Sequence, residues 1–328
     1  MSRNNYNDLP LKQILKKNYN GDFGIELELE YPLNKEIPVN TISQGLIYWK
    51  MIPEGSLRNG TEFVIRKEIK HNEETFSNAI HEIKNVLRNY DFTESIRTST
   101  HIHINVLDLT PKQIVNVILN WYLFENLFVF NNGKERRGNL HCLRFSDANG
   151  IYYNIKEAIK NASSNFPVTS SFTDQSSIKY SALNLGNLNY LGTLEFRYLK
   201  GYSDYTSNDL ELNCSCLYKF VHYFKDKNPL EMIKEIESKR IKTLLNKFLT
   251  KEEVKFIRRD LEYYEMLNML TTNISEIESL CKYLNKAQKW INNPTKTYLD
   301  GPYKPNFNED DYSFDEHELL SFEVQDDQ

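Results

Sequence analysis

Cysteine is scarce in this chain, with four in 328 residues, at positions 142, 214, 216 and 281. That excludes a disulfide-stapled scaffold. It also excludes a CxxC-type metal clip, because Cys214 and Cys216 sit two apart in a helical pattern, where side chains diverge. No run approaches 18 apolar residues, so no transmembrane helix is expected. The N-terminal stretch MSRNNYNDLPLKQILKKNYN lacks the apolar core of a secretory signal. A reduced, cytoplasmic protein with no membrane partner is the expectation. Glycine (12) and proline (10) are few, while tyrosine (21) and phenylalanine (18) are abundant, so disorder is expected only at the ends. A basic excess is missing as well. The chain carries 40 basic and 45 acidic side chains, and nine of the acids fall between Asn308 and Gln328, where there is no Lys or Arg. The other 307 residues are therefore close to neutral, at +4. Such a body lacks the electrostatic footprint of a nucleic-acid-coating protein, and no nucleic-acid partner is predicted.

What is present is patterned. Phe23 to Tyr31 alternates Ile25, Leu27 and Leu29 with Glu26, Glu28 and Glu30, the period of a half-buried strand. Leu46–Ile52 and Thr61–Arg66 read as two further strands joined by the turn-like PEGSLRNG. Strands are also predicted over Thr98–Leu107, Ile178–Leu185 and Thr193–Lys200. Helical patterns cover Asn72–Tyr90, Thr110 to about Phe130 (apolar nearly all round, with a Thr-Pro start), Ser207–Phe224, Leu230–Phe248, Lys251–Leu270 and Ile274–Trp290. Ile151 to Thr173 reads as a short helix followed by a Ser/Asn/Thr loop. Strands joined by hairpins and helices, with helices at the end, define an α+β chain. We place a strand-bearing domain at 1–228, a helical segment at 229–300 and a flexible acidic tail at 301–328.

Residues i and i+2 of a strand share a face. Glu26, Glu28 and Glu30 therefore point one way, and the same holds for His101 with His103 and for Glu195 with Arg197. Glu54 and Glu62 flank the turn into the third strand. Each pair alone reads as an ordinary solvated or salt-bridged face. Together they give three strands whose polar face holds carboxylates, two imidazoles and a single arginine. Packed carboxylates without counter-charge raise one another's pKa and cost stability, which divalent cations relieve. Oxygen ligands with one or two imidazoles suit Mg²⁺ or Mn²⁺ better than a structural zinc.

The motifs GIELELE, EGSLRNGTEFV, STHIHINV, ERRGNLHC, KYSALNL and GTLEFRYLKG occur in an order that resembles the amidoligase family, carboxylate–amine ligases with the glutamine synthetase fold. The resemblance covers about Phe23 to Gly201. It implies a curved antiparallel sheet of the glutamine synthetase-like catalytic type, with helices on its apolar face and the C-terminal helices added. It implies ATP-dependent amide or peptide bond formation through an acyl-phosphate, with ATP and two or more Mg²⁺ or Mn²⁺ ions as cofactors. By motif matching, Glu28, Glu54 and Glu62 would hold one ion and Glu26, His101 and Glu195 a second. His103 would face the nucleotide phosphates, and Arg197 would neutralise the transferred phosphoryl group. Arg136 and Arg137 are further phosphate candidates, or else a solvated basic turn. Lys179 would contact phosphate or the acyl-phosphate. Asn184 would hydrogen-bond substrate or make a buried polar contact. The glycine usual in the family just before HxH is replaced here by Ser99-Thr100, which tightens the approach to His101.

The same ligands would also serve a metal-dependent hydrolase, and a binding or structural protein could keep the scaffold without turnover. The expected partners are a small-molecule or peptide carboxylate and an amine. A second copy or a protein partner on the C-terminal helices or acidic tail is a further expectation.

Overall fold

The computed structural model describes residues 6–133, 136–162, 169, 180–238, 240–259 and 261–291. Ile178 and Lys179, at the start of the predicted 178–185 strand, and the acidic tail lie outside the described residues; of the rest of that predicted strand only Leu183–Asn184 forms one.

Apolar alternation builds the sheet. Strand β1 (Phe23–Glu30) buries Phe23, Ile25, Leu27 and Leu29 completely, while the residues between them are only partly covered. Beside it run β2 (Trp49–Glu54), β3 (Gly60–Ile65), β4 (Ser99–Asn105), β5 (Leu183–Asn184) and β6 (Thr193–Lys200). All pairings are antiparallel, in the order β2-β3-β1-β4-β6-β5. The sheet is open, and with its helices it makes an α+β fold.

Helices cover the apolar face. Helix α1 (Leu11–Leu15) precedes the sheet, α2 (Val39–Gly45) leads into β2, and α3 (Glu74–Asn89) follows β3. Helix α4 (Pro111–Asn131) starts on a capping box, Thr110 with Gln113, and has Pro111 in its first turn. It is long and apolar enough to cross a membrane, yet most of that stretch is buried inside the protein. It is a core helix. Trp121 on α4 meets Phe196 of β6 edge-on at 4.7 Å and lies 5.5 Å from the Tyr198 ring. Helix α5 (Asn149–Asn161), the short α6 (Asn187–Tyr190) and α7 (Asp209–Phe224) come next. Helix α7 brings Phe220 against Trp121 and Phe124.

Two predicted helices are each divided. The 230–248 pattern forms α8 (Pro229–Glu237) and α9 (Ile241–Leu245), and the 251–270 pattern forms α10 (Lys251–Ile257) and α11 (Tyr263–Thr271). Buried residues explain the first break and a capping box the second. Ile236 to Ile241 is a step of five, out of phase with a 3.6 period. A new capping box at Glu262 and Glu265 starts α11. Helix α12 (Ile274–Ile291) completes the described chain. Helices α8, α10, α11 and α12 pack on α4, and α12 also packs on α5. The last strand ends at Lys200, and helices before and after residue 228 pack on the same core helix α4, so 228 marks no break in the core. The unit that includes these helices runs to Ile291.

Trp121 has no exposed surface and sits among four aromatic rings. Trp121→Ala is expected to cost about 3–5 kcal/mol of stability, the range for removing a large core side chain. Urea denaturation measures this, and a loss below about 1 kcal/mol would contradict the packing described.

Candidate metal centre

Register decides which charges meet. On one side of β1, Glu26 lies opposite His101 of β4 and Gly24 opposite His103. On the other side, Glu28 lies opposite Glu62 of β3. Across β4, His103 lies opposite Glu195 of β6. Gly24 is small for a reason: a Cβ there would stand 3.2 Å from the Cβ of His103.

Between Thr100 and Ile102 the β4–β6 register slips, so that His101 alone faces Arg197 and Tyr198. Such a bulge re-aims side chains. Arg197 stays on the polar face with Glu195, while Tyr198 turns its ring into the core. The Arg136 guanidinium donates to the carbonyls of Tyr198 (3.1 Å), Thr98 (3.5 Å) and Arg197 (2.9 Å) beside the bulge. Arg136 is 2% exposed and each of its three guanidinium nitrogens donates to a backbone carbonyl, so it is built into the backbone beside the bulge and is not a solvated turn. Arg137 is exposed and stacks on the Phe130 ring at 3.8 Å, outside the cluster.

The polar face converges on Glu26. His101 Nδ1 lies 3.0 Å from Glu26 Oε2 and 3.6 Å from Glu195 Oε1. His103 Nε2 lies 3.4 Å from Glu26 Oε1 without the alignment of a hydrogen bond, and its Nδ1 is 3.2 Å from Thr193 Oγ1. The Ser99 hydroxyl donates to Glu28 and lies 2.9 Å from His101 Nε2. Arg197 Nη1 donates to Glu195 Oε1 at 2.7 Å. Glu54 accepts from the amide of Ser56 in the hairpin at 2.8 Å.

Among the described residues two groups of ligand atoms lie within 4.8 Å of one another: Glu26, His103 and Glu195, and Glu26, Glu62 and His101. This differs from the partition expected above. Glu26 belongs to both groups, and His103 stands among the ligand candidates. Glu28 and Glu54 border the groups without joining them.

The electrostatics follow from crowding. Burial opposes ionisation of Glu26, but its contacts with His101 and His103 hold its carboxyl far below the usual range. Burial, with the neighbouring charges of Glu26, Glu28 and Glu54, pushes Glu62 up to about 7. Burial lowers His103, yet Glu26 and Glu195 outweigh it and raise its pKa. Two buried polar atoms at the centre have no hydrogen-bond partner, His103 Nε2 and Arg197 Nε. An oxygen-rich set with two imidazoles, mutually repelling carboxylates and an orphaned ring nitrogen fits a divalent cation.

Ser99, Asn184 and Asn187 touch the ligand candidates, and of these Asn187 had no place in the sequence reading. Its signal is the Asn-x-Gly-Asn turn just ahead of β6. Asn184 makes a buried polar contact, with Glu195.

Compared with protein-family models and with curated proteins, the chain matches none. The likeness to amidoligases rests on the short motifs alone.

Two outcomes test this description. The raised pKa of Glu62 means that its ionisation works against the fold. Its contribution to stability falls as pH rises from its ordinary 4.5 to about 7. His103, also raised, loses its contribution as pH climbs through its folded-state value. Buried Glu125, at about 8, acts in the same direction as Glu62. His71 and His222, lowered by burial, act in the opposite direction, so the test compares variants: going from about pH 5 to about pH 8, the metal-free Glu62→Gln protein should gain melting temperature relative to wild type, and an unchanged difference would contradict the crowding. Arg136→Met should cost about 2–4 kcal/mol by urea denaturation, because it strands buried carbonyls. A phosphate-binding arginine would leave the metal-free stability untouched.

Proposed function

We propose that the chain is an ATP-dependent carboxylate–amine ligase that works with Mg²⁺ or Mn²⁺ on the polar face of its sheet. The observation that carries this reading is Glu26, within reach of two histidines and two further glutamates and beside an arginine paired with one of them. The ordered motifs add the ligase chemistry and the glutamine synthetase-like type of sheet. ATP would phosphorylate the carboxylate, and the amine would displace phosphate from the acyl-phosphate to give the amide.

Glu26, Glu62, His101, His103 and Glu195 would hold the ions, with Glu28 and Glu54 as neighbours that adjust charge. Bound divalent cations supply charge neutralisation for the nucleotide's phosphate oxygens. Arg197 has one nitrogen on Glu195 and an unpartnered Nε, so it retains a donor for an anionic group, and guanidinium geometry suits phosphoryl oxygens. Burial of Glu195 and both histidines limits water at the centre, which strengthens each charge interaction there. An arginine beside the candidate ligands suits the three oxygens of a transferred phosphoryl group.

Purified protein with ATP and Mg²⁺ should release ADP and phosphate in a screen across amino acids, polyamines and peptides offered as carboxylate and amine pairs. Glu26→Gln and Glu195→Gln should each lower that release at least a hundred-fold while the circular dichroism stays native. Undiminished release in both variants would remove the site. Hydrolysis of an amide with no need for ATP would replace the ligase with the hydrolase.

A further inference from the structure

Glu195 is held in a way that leaves it one oxygen to offer. Its Oε2 accepts from Asn184 Nδ2 at 2.6 Å and from Asn187 Nδ2 as well. Its Oε1 faces the other way, 2.7 Å from Arg197 Nη1 and 3.6 Å from His101 Nδ1. The carboxylate is 2% exposed, so water does not compete for these positions.

Local sequence builds this cradle. In Asn184-Leu-Gly-Asn187 the Asn184 side chain turns its oxygen onto the amide of Gly186 at 2.9 Å, an Asx-type turn. With the oxygen committed there, the other half of the amide must present its N–H groups, and these reach Glu195. The turn places Asn187 in the first turn of α6, and its side chain reaches back to the same oxygen. The chain then reverses at Gly192, whose φ of +78° only glycine adopts cheaply and where a Cβ would strike Leu107. Strand β6 follows at once, with Asn184 opposite Glu195 in the β5–β6 register.

We infer that Asn184 and Asn187 are positioning residues that set which cation the centre accepts, by occupying Oε2 of Glu195 so that only Oε1 remains for an ion. This rests on the divalent-cation reading given above. Ca²⁺ takes six to eight oxygens and favours carboxylates that give two each, whereas Mg²⁺ and Mn²⁺ take six donors in a tighter shell. A carboxylate limited to one oxygen therefore favours the smaller ions. Donors that orient a ligand typically change metal affinity by about 10–100-fold when removed.

The test is a pair of titrations, Mn²⁺ alone and Ca²⁺ alone, on the metal-free full-length protein followed by calorimetry. The set comprises wild type, Asn187→Ala, Asn184→Ala and the double variant. Wild type should bind Mn²⁺ more tightly than Ca²⁺. In the variants Mn²⁺ affinity should fall about ten-fold or more while Ca²⁺ affinity falls much less or rises, so the Mn²⁺/Ca²⁺ ratio shrinks several-fold. A general loosening of the fold would weaken both ions together and leave the ratio unchanged, and that result would overturn the cradle while the metal centre stands. Wild type binding neither ion would overturn the metal centre itself. Asn184 is buried and its variant carries a folding risk. Asn187, only partly buried, carries the test on its own, with thermal melting of each variant as the check on folding.

Discussion

A single carboxylate, Glu26, organises the polar face. It lies against both histidines of β4 and within ligand distance of Glu62 and Glu195. Strand order makes this possible, since β1 lies between β3 and β4. One neighbour delivers a glutamate and the other delivers imidazoles. Without the imidazoles, four glutamates in so small a space would drive one another toward the neutral form. With them, Glu26 stays ionised and the excess of negative charge falls on Glu62. The centre is thus poised, still rich in carboxylate after its internal pairing, which is the condition a divalent cation satisfies.

Holding that arrangement is the work of the opposite face. The strands that present charge on one side present Ile25, Leu27, Leu29, Ile102, Ile104 and Phe196 on the other, all fully buried. Trp121 and the rings around it lock β6 to α4 and α7, and so fix the height of Glu195 and Arg197 above the sheet. The bulge opposite His101 would leave carbonyls without partners, and Arg136 takes them up. A loop arginine that resembles a ligand contact in the sequence is a structural clamp beneath the site.

The alternation in FGIELELE, STHIHINV and TLEFRYLK made both faces of three strands legible, because a period of two needs no tertiary information. Strand β6 occupies the predicted Thr193–Lys200 span, and the core helix on α4 is displaced by one residue at most. What was not legible depends on register. Nothing within one strand says that Glu26 lies opposite His101, or that a bulge sets His101 against both Arg197 and Tyr198, so the ligands were grouped differently from the groups the sheet brings together. Asn187 was hidden for a similar reason, since a side chain that folds back from a turn onto the next strand has no period to reveal it. The divided C-terminal helices hid behind continued helical propensity, and only the five-residue step between Ile236 and Ile241 marks the first break.

The face of Glu26 that meets His101, His103, Glu62 and Glu195 is the central claim, and anomalous diffraction from a crystal grown with Mn²⁺ tests it most directly. The account predicts anomalous peaks among Glu26, His101, His103, Glu62 and Glu195, with Glu26 common to them. Anomalous signal confined to other parts of the surface, or none from a fully ordered sheet, would contradict it.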